Sequence, residues 1–226
     1  MTKAPAPKAP TDRTRLRRLH EKAAYDRATI DAILDAMPLA HVGYVMSGAP
    51  VVIPTLQWRE GDRVYWHGSA ASRSLKAGKG MQVCLTVTLT DAMVLARSAL
   101  EHSVNSRSVM VFGQAEWVTD PSAKAAHLQT MVETLFPGRW QDLRPMTASE
   151  VKSTGILSLP LSEASAKISA AEPGGTDPDE DKGWPVWAGL LPISYAMSAP
   201  LPAPDLPAGV DLPAHAANYR FGKTPK

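Results

Sequence analysis

Alternation of apolar and polar positions dominates the chain from residue 39 onward. LAHVGYVM (39–46) predicts a strand, SGAP (47–50) a tight turn, and VVIPTLQW (51–58) the returning strand. Pro54 cannot donate a ladder hydrogen bond, so that second strand is expected to have an edge or a bulge there. REGD is a further turn and RVYWHG a third strand. MQVCLTVTL alternates most strictly: Met81, Val83, Leu85, Val87 and Leu89 take one face, and Gln82, Cys84, Thr86 and Thr88 the other. A short strand over 93–97, a long one in RSVMVFGQAEWV with a bend at Gly113, two in GILSLPL and EASAKIS, and a last one in PVWAGLLPISYAM complete the set.

Helical spacing interrupts this pattern at a few places. Ile30, Ile33, Leu34 and Met37 recur at helical intervals behind a capping Asp26, and Pro38 ends the run. Asp120-Pro121 is a cap followed by proline at the first helical position. The helix it opens carries Ala125, Leu128, Met131, Val132 and Leu135 on one side. Short helices are expected in SAASRSLKAG, closed by Gly78, and near 147–154. Seven or eight mostly antiparallel strands with three or four helices between them predict a mainly β fold with flanking helices, a barrel or a sandwich.

Composition frames this as one core with appendages. With 226 residues, 44% hydrophobic and 20% charged, the chain can bury one sizeable core. Residues 1–20, rich in Pro, Ala and basic side chains, are expected to form a disordered arm, residues 21–200 the folded domain, and residues 201–226 a Pro-rich extension. AEPGGTDPDEDKG has no reason to fold alone. A net charge of +2 gives no strong pull toward nucleic acid. The basic run Arg13, Arg15, Arg17, Arg18 and Lys22 is read as a solvated arm, with phosphate contact as the rival reading.

The single cysteine, Cys84, excludes an intrachain disulfide, and no Cys/His set has metal spacing. No apolar run approaches the length of a membrane span, and MTKAPAPKAP lacks a signal-peptide core, so a cytoplasmic protein is expected. G-x-G-x-x-G, P-loop, H-E-x-x-H and G-x-S-x-G motifs are all missing.

VYWHGSAASRSLK (64–76) is the most informative stretch. Ser69, Ser72, Arg73 and Lys76 gather hydroxyls and cations where a strand hands over to a helix. Backbone N–H groups, a serine hydroxyl and a guanidinium fork together suit a phosphate. A serine cap followed by ordinary surface cations explains the same spacing. His67 ends the strand beside them and suits a cofactor contact, acid–base work or a metal. His102, with Asn105 and Arg107 nearby, is a second candidate; His41 reads as a strand residue with a satisfied partner.

HVGYV, HGSAASR, VTVTLTD, LARSA, RSVMVFG, EASAK and VWAGLLP, in that order, resemble the pyridoxamine 5'-phosphate oxidase-like split-barrel family, in its flavin-nucleotide-binding or nitroimidazole-resistance-like branch. The resemblance covers about 25–201. It implies an FMN-binding split β-barrel and a homodimer with the cofactor at the subunit interface. On it, Ser72 and Arg73 match the phosphate grip, with Lys76 as helper. Pro54, Thr55 and Leu56 match the strand along the isoalloxazine ring. His67, Gly68 and Ser69 match the ribityl or ring contacts, with His67 near the reactive face as the catalytic candidate, and Trp187 matches a late aromatic from the same or the other subunit.

The family's basic C-terminal substrate signature is missing after Trp187, which argues against pyridoxamine phosphate as substrate. An FMN-dependent oxidoreductase acting on a small organic molecule is the resulting expectation. A non-catalytic flavin- or haem-binding protein is the alternative. Haem and deazaflavin remain open as cofactors, with His67 or His102 as axial ligand in the haem case.

Overall fold

The structure is a computed structural model and describes residues 8–73, 75 and 80–220. Lys76 and Gly78 lie outside the described residues, as do 1–7 of the arm and 221–226 of the extension.

Ten strands form one antiparallel sheet among the described residues: β1 (Ala23–Ala24), β2 (Leu39–Met46), β3 (Ala49–Glu60), β4 (Arg63–Ser69), β5 (Gln82–Leu95), β6 (Ser103–Gln114), β7 (Glu116–Trp117), β8 (Thr154–Pro160), β9 (Ala164–Ser169) and β10 (Gly189–Pro192). Their order is β1-β9-β6-β5-β2-β3-β4-β8-β7, with β10 also on β5. The curled sheet does not close, which is the architecture of a split barrel. Helices α1 (Arg27–Ala36), α2 (Pro121–Leu135), α3 (Ala148–Ser153) and α4 (Ala214–Ala217) are set between and after the strands.

Three of these four helix starts follow from a side-chain cap. Asp26 accepts from the Thr29 N–H at 2.8 Å, Asp120 from the Ala123 N–H at 2.7 Å, and Thr147 and Glu150 form a reciprocal capping box. The C-terminal carbonyls of α1 are satisfied by a side chain: Gln57 Nε2 donates to Leu34 O at 2.6 Å and Met37 O at 2.8 Å.

Two cores result from strand alternation. Val42, Val64, Trp66, Leu85, Val87, Val109, Val111, Leu157 and Leu159 fill the barrel beneath α1. On the opposite face, Trp58, Tyr65, Leu128 and Ile156 form a second core under α2. β4 feeds both, because Val64 and Trp66 point one way and Tyr65 the other.

The strand expected at 93–97 is not separate. β5 runs on to Leu95 through a register shift between Thr90 and Ala92, so one bulged strand replaces two. The last strand is shorter than the alternation suggests and covers only Gly189–Pro192. Within the arm, Thr14 is buried and Arg13 reaches both Gln82 and Glu163. Within the extension, Tyr219 packs on Phe136 with ring centroids 5.8 Å apart. In the 170–183 loop, Asp177 is buried and binds Arg97. No helix among the described residues is long and apolar enough to cross a membrane.

Candidate functional site

The ladder between β3 and β4 runs from Glu60–Arg63 to Gln57–Trp66 and stops. Continued register would set Leu56 opposite His67, but the two strands part there. Beyond the split, Pro54, Thr55 and Leu56 pair only with β2, through His41, Ala40 and Leu39. His67, Gly68 and Ser69 pair only with β8, through Ile156, Gly155 and Thr154. Pro54 therefore lies on a half-strand with an open side, as a proline in a ladder requires. The six residues form the two lips of one split.

The segment after β4 is pinned under the second lip. Ser69 Oγ accepts from the Ala71 N–H at 3.2 Å, and Ser72 Oγ accepts from the Leu75 N–H at 3.1 Å. Leu75 is buried in the barrel core. A Cβ on Gly68 would meet Leu75 at 2.8 Å, and one on Gly155 would meet Leu75 and Trp117 at 2.7 Å. These two paired glycines thus make the seat for Leu75, which holds Ser72 and Arg73 at the split. Arg73 is exposed and makes no ion pair among the described residues. Ser72 thus acts as a cap, and the Arg73 guanidinium beside it is exposed to solvent.

Along β3, Val52, Pro54 and Leu56 are exposed, whereas Trp58 on the same face is buried under α2. Leu39, Val45, Val52, Leu56 and Met110 leave an apolar sheet face uncovered. His67 sits where the cover of α2 ends. It lines a cleft of about 480 Å³ together with Leu128, Met131, Val132, Trp140, Leu143, Met146 and Thr154, with Arg144 and Glu150 as its charged groups.

His67 Nδ1 is buried and has no hydrogen-bond partner among the described residues. Burial lowers the His67 pKa below the ordinary histidine value, so the ring is held neutral. Arg144, at 2.5 Å, and the Thr147 backbone hold the Glu150 carboxyl at about 2, so this pair is fully charged.

The remaining sequence candidates lie elsewhere. Trp187 is 62% exposed beside β10, which pairs with the far end of β5, about 30 Å along that strand from the His41 pairing. The structure does not bring Trp187 to the split within one chain. His102 is exposed and its Nδ1 lies 3.0 Å from Ser98 O. Asn105 bonds both backbone groups of Ala171, and Arg107 grips Asp91.

Trp140, Leu143, Arg144 and Met146 escape sequence reading because 137–147 has no period. An apolar tryptophan and methionine inside a Pro-rich loop were the available signal. No group of His, Cys, Asp or Glu that could hold a bare metal ion occurs among the described residues.

The flavocytochrome Anf3 of Azotobacter vinelandii is 48% identical over 96% of this chain and 100% of its own, with a TM-score of 0.91. An FAD- and haem-binding protein of Mycobacterium smegmatis is 37% identical over 86% of this chain and 95% of its own, with a TM-score of 0.81. A candidate 5-nitroimidazole antibiotic resistance protein of Bacteroides thetaiotaomicron shares the fold at 21% identity, 65% and 86% coverage and a TM-score of 0.54. No curated protein matches the sequence. A family model described as pyridoxamine 5'-phosphate oxidase matches residues 26–168, and the chain belongs to that family.

Proposed function

We propose that this chain is a redox protein that holds a flavin at the β3–β4 split and a haem in the adjoining cleft, with His67 as the iron's axial ligand. The observation that carries the reading is a neutral, half-buried His67, its Nδ1 without a hydrogen-bond partner among the described residues, on the wall of a cleft that is apolar apart from Thr154 and the Arg144–Glu150 pair. A buried ring nitrogen without a partner is uncommon. A neutral imidazole is the form that binds a metal. A bare ion needs several protein ligands, whereas a porphyrin supplies its own nitrogens and asks the protein for an axial ligand. The cleft volume falls in the range of small-molecule sites. Kinship with a flavocytochrome and with an FAD- and haem-binding protein supports the same reading.

Flavin would bring hydride and one-electron chemistry, and haem iron one-electron and oxygen chemistry. The chain's own part is to hold and orient. Pro54–Leu56 would present open backbone to the ring, Gly68 and Ser69 would face the ribityl chain, and Ser72 and Arg73 would hold the first phosphate. That unit is common to FMN and FAD. The exposed apolar sheet face would pair with a second copy, placing the partner's late aromatic segment over the flavin. A cytoplasmic setting fits the lone Cys84.

The test is an absorption spectrum of protein purified with haem available and titrated with FMN and with FAD. Bands near ~375 and ~450 nm mark flavin and a sharp band near ~400 nm marks haem. His67→Ala should lose the haem band and keep the flavin bands. Arg73→Ala should weaken flavin binding by about 1.5–3 kcal/mol and keep the haem band. A wild-type protein that binds flavin and takes up no haem would leave an FMN-dependent oxidoreductase, with the cleft as the site for a small organic substrate.

A further inference from the structure

The second core is more than apolar filling. From His67, a row of rings leads away from the cleft. The Trp58 ring lies 6.1 Å from the His67 ring, Tyr65 stacks on Trp58 at 5.6 Å with planes 20° apart, and the His127 ring lies 4.6 Å from Tyr65. Trp58 and Tyr65 are buried cross-strand partners on β3 and β4, and His127 comes from α2.

The polar ends of Trp58 and His127 converge on one carboxylate. Trp58 Nε1–H donates to Glu60 Oε1 at 2.6 Å, and His127 Nδ1 lies 2.9 and 3.0 Å from the two Glu60 oxygens. Glu60 and His127 are each about one-quarter exposed, so the row ends at solvent.

Packing alone does not require this arrangement. A buried tryptophan needs one acceptor, and a backbone carbonyl would serve. Here the acceptor is a carboxylate that can take the proton, and His127 Nδ1–H donates to the same group. An indole that loses an electron becomes a strong acid at Nε1. A hydrogen-bonded carboxylate makes that loss easier by taking the proton as the electron leaves, and a stacked ring stabilises the hole by polarisation.

We propose that Trp58 is a redox-active relay residue that passes single electrons to a cofactor held at His67, with the Glu60–His127 pair as its proton acceptor; this rests on the haem reading above. With a peroxide as oxidant, the oxygen–oxygen bond breaks and takes up two electrons. One comes from the bound iron and one from Trp58, and both oxygens end at the oxidation level of water, with protons from solvent. The indole N–H proton moves to Glu60 Oε1. A neutral indolyl radical and a protonated carboxyl remain. One electron from a reductant at the surface restores them through Tyr65, and a second, passed along the same row, returns the electron the iron gave up. The relay would draw oxidising equivalents away from the flavin and the cleft.

Haem-loaded protein mixed with hydrogen peroxide and frozen within seconds should give an electron paramagnetic resonance signal with tryptophan ring hyperfine structure. Ring-deuterated tryptophan should narrow it. Trp58→Phe should abolish the signal while the haem band near ~400 nm is kept. Glu60→Gln keeps an acceptor oxygen and removes the base, and should abolish the neutral radical. Trp184→Phe, at an exposed tryptophan outside the cleft lining, should keep the signal. A tryptophan signal that survives Trp58→Phe overturns the relay, as does haem-loaded protein that gives no protein radical. Protein that takes up no haem overturns the cofactor reading and the relay together, so the two failures are distinct.

Discussion

Most polar groups around His102 have hydrogen-bond partners, whereas His67 Nδ1 itself has none among the described residues. At the β5–β6 end, Asn105 exchanges two 2.8 Å hydrogen bonds with Ala171, Arg107 grips Asp91, and buried Asp177 binds Arg97. Only Arg97 Nε and Thr176 Oγ1 stay unpaired there among the described side chains. At the β3–β4 split, the ladder stops, Pro54 and Leu56 are exposed, and among the described residues Arg73 has no ion pair and His67 Nδ1 no hydrogen-bond partner. Interiors satisfy their polar groups by default. A closed network ties a loop to a sheet, whereas unpaired donors beside open volume prepare a place for something else.

The sharpest way to break that contrast is to remove the pin under the open region. Leu75→Ala deletes a buried side chain that fills the space above Gly68 and Gly155, and should cost about 2–5 kcal/mol of stability. It should also loosen Ser72 and Arg73 and weaken flavin binding in the molecules that remain folded. Urea unfolding and a flavin titration read the two effects. Lost stability with unchanged flavin affinity would separate the split from the segment after β4.

Asn105→Ala probes the closed region and should be milder. It leaves the Ala171 N–H and C=O without their partner, at about 1–3 kcal/mol. Cofactor absorption per folded molecule should not change. A variant that loses haem or flavin as His67→Ala or Arg73→Ala does would show that the two regions act as one.

Local signals carry most of the fold. Caps at Asp26 and Asp120, the stop at Pro38 and the strict alternation of β5 each depend on neighbours in the chain, and each is legible. β5 shows the limit: the bulge at Thr90–Ala92 flips the pattern, so one strand looks like two. The lips of the split are legible through their resemblance to a family, and that they face each other is not, because it depends on where a ladder stops. The cleft and the Trp58–Glu60–His127 cluster are less legible still. Met131 and Val132 share an apolar stripe on α2 with buried Leu128, and no periodicity says that part of a stripe faces a void. Trp58, Glu60 and Tyr65 meet across the β3–β4 hairpin, but His127 joins them from α2, far along the chain.

The smallest expected effect concerns His67 itself and has a definite sign. Burial depresses its folded-state pKa below the ordinary 6.5, so the unfolded chain takes up the proton more readily. The contribution to stability is complete above pH 6.5 and falls as the pH drops from there through the lowered folded value. Asp26 and Glu150 also have depressed values, from hydrogen bonds of Thr29 and Arg144, but they lose their contributions only in the carboxylate range below about 4.5. The two windows can therefore be told apart in urea unfolding measured in steps from pH 8 to pH 4. His67→Gln should flatten the slope just below pH 6.5 and leave the more acidic slope in place. Haem-loaded wild-type protein should carry the first slope further toward acid, because an iron-bound imidazole resists protonation more strongly than a buried one. An unchanged slope in His67→Gln would mean that the ring is solvated in solution, and the contrast with His102 would lose its basis.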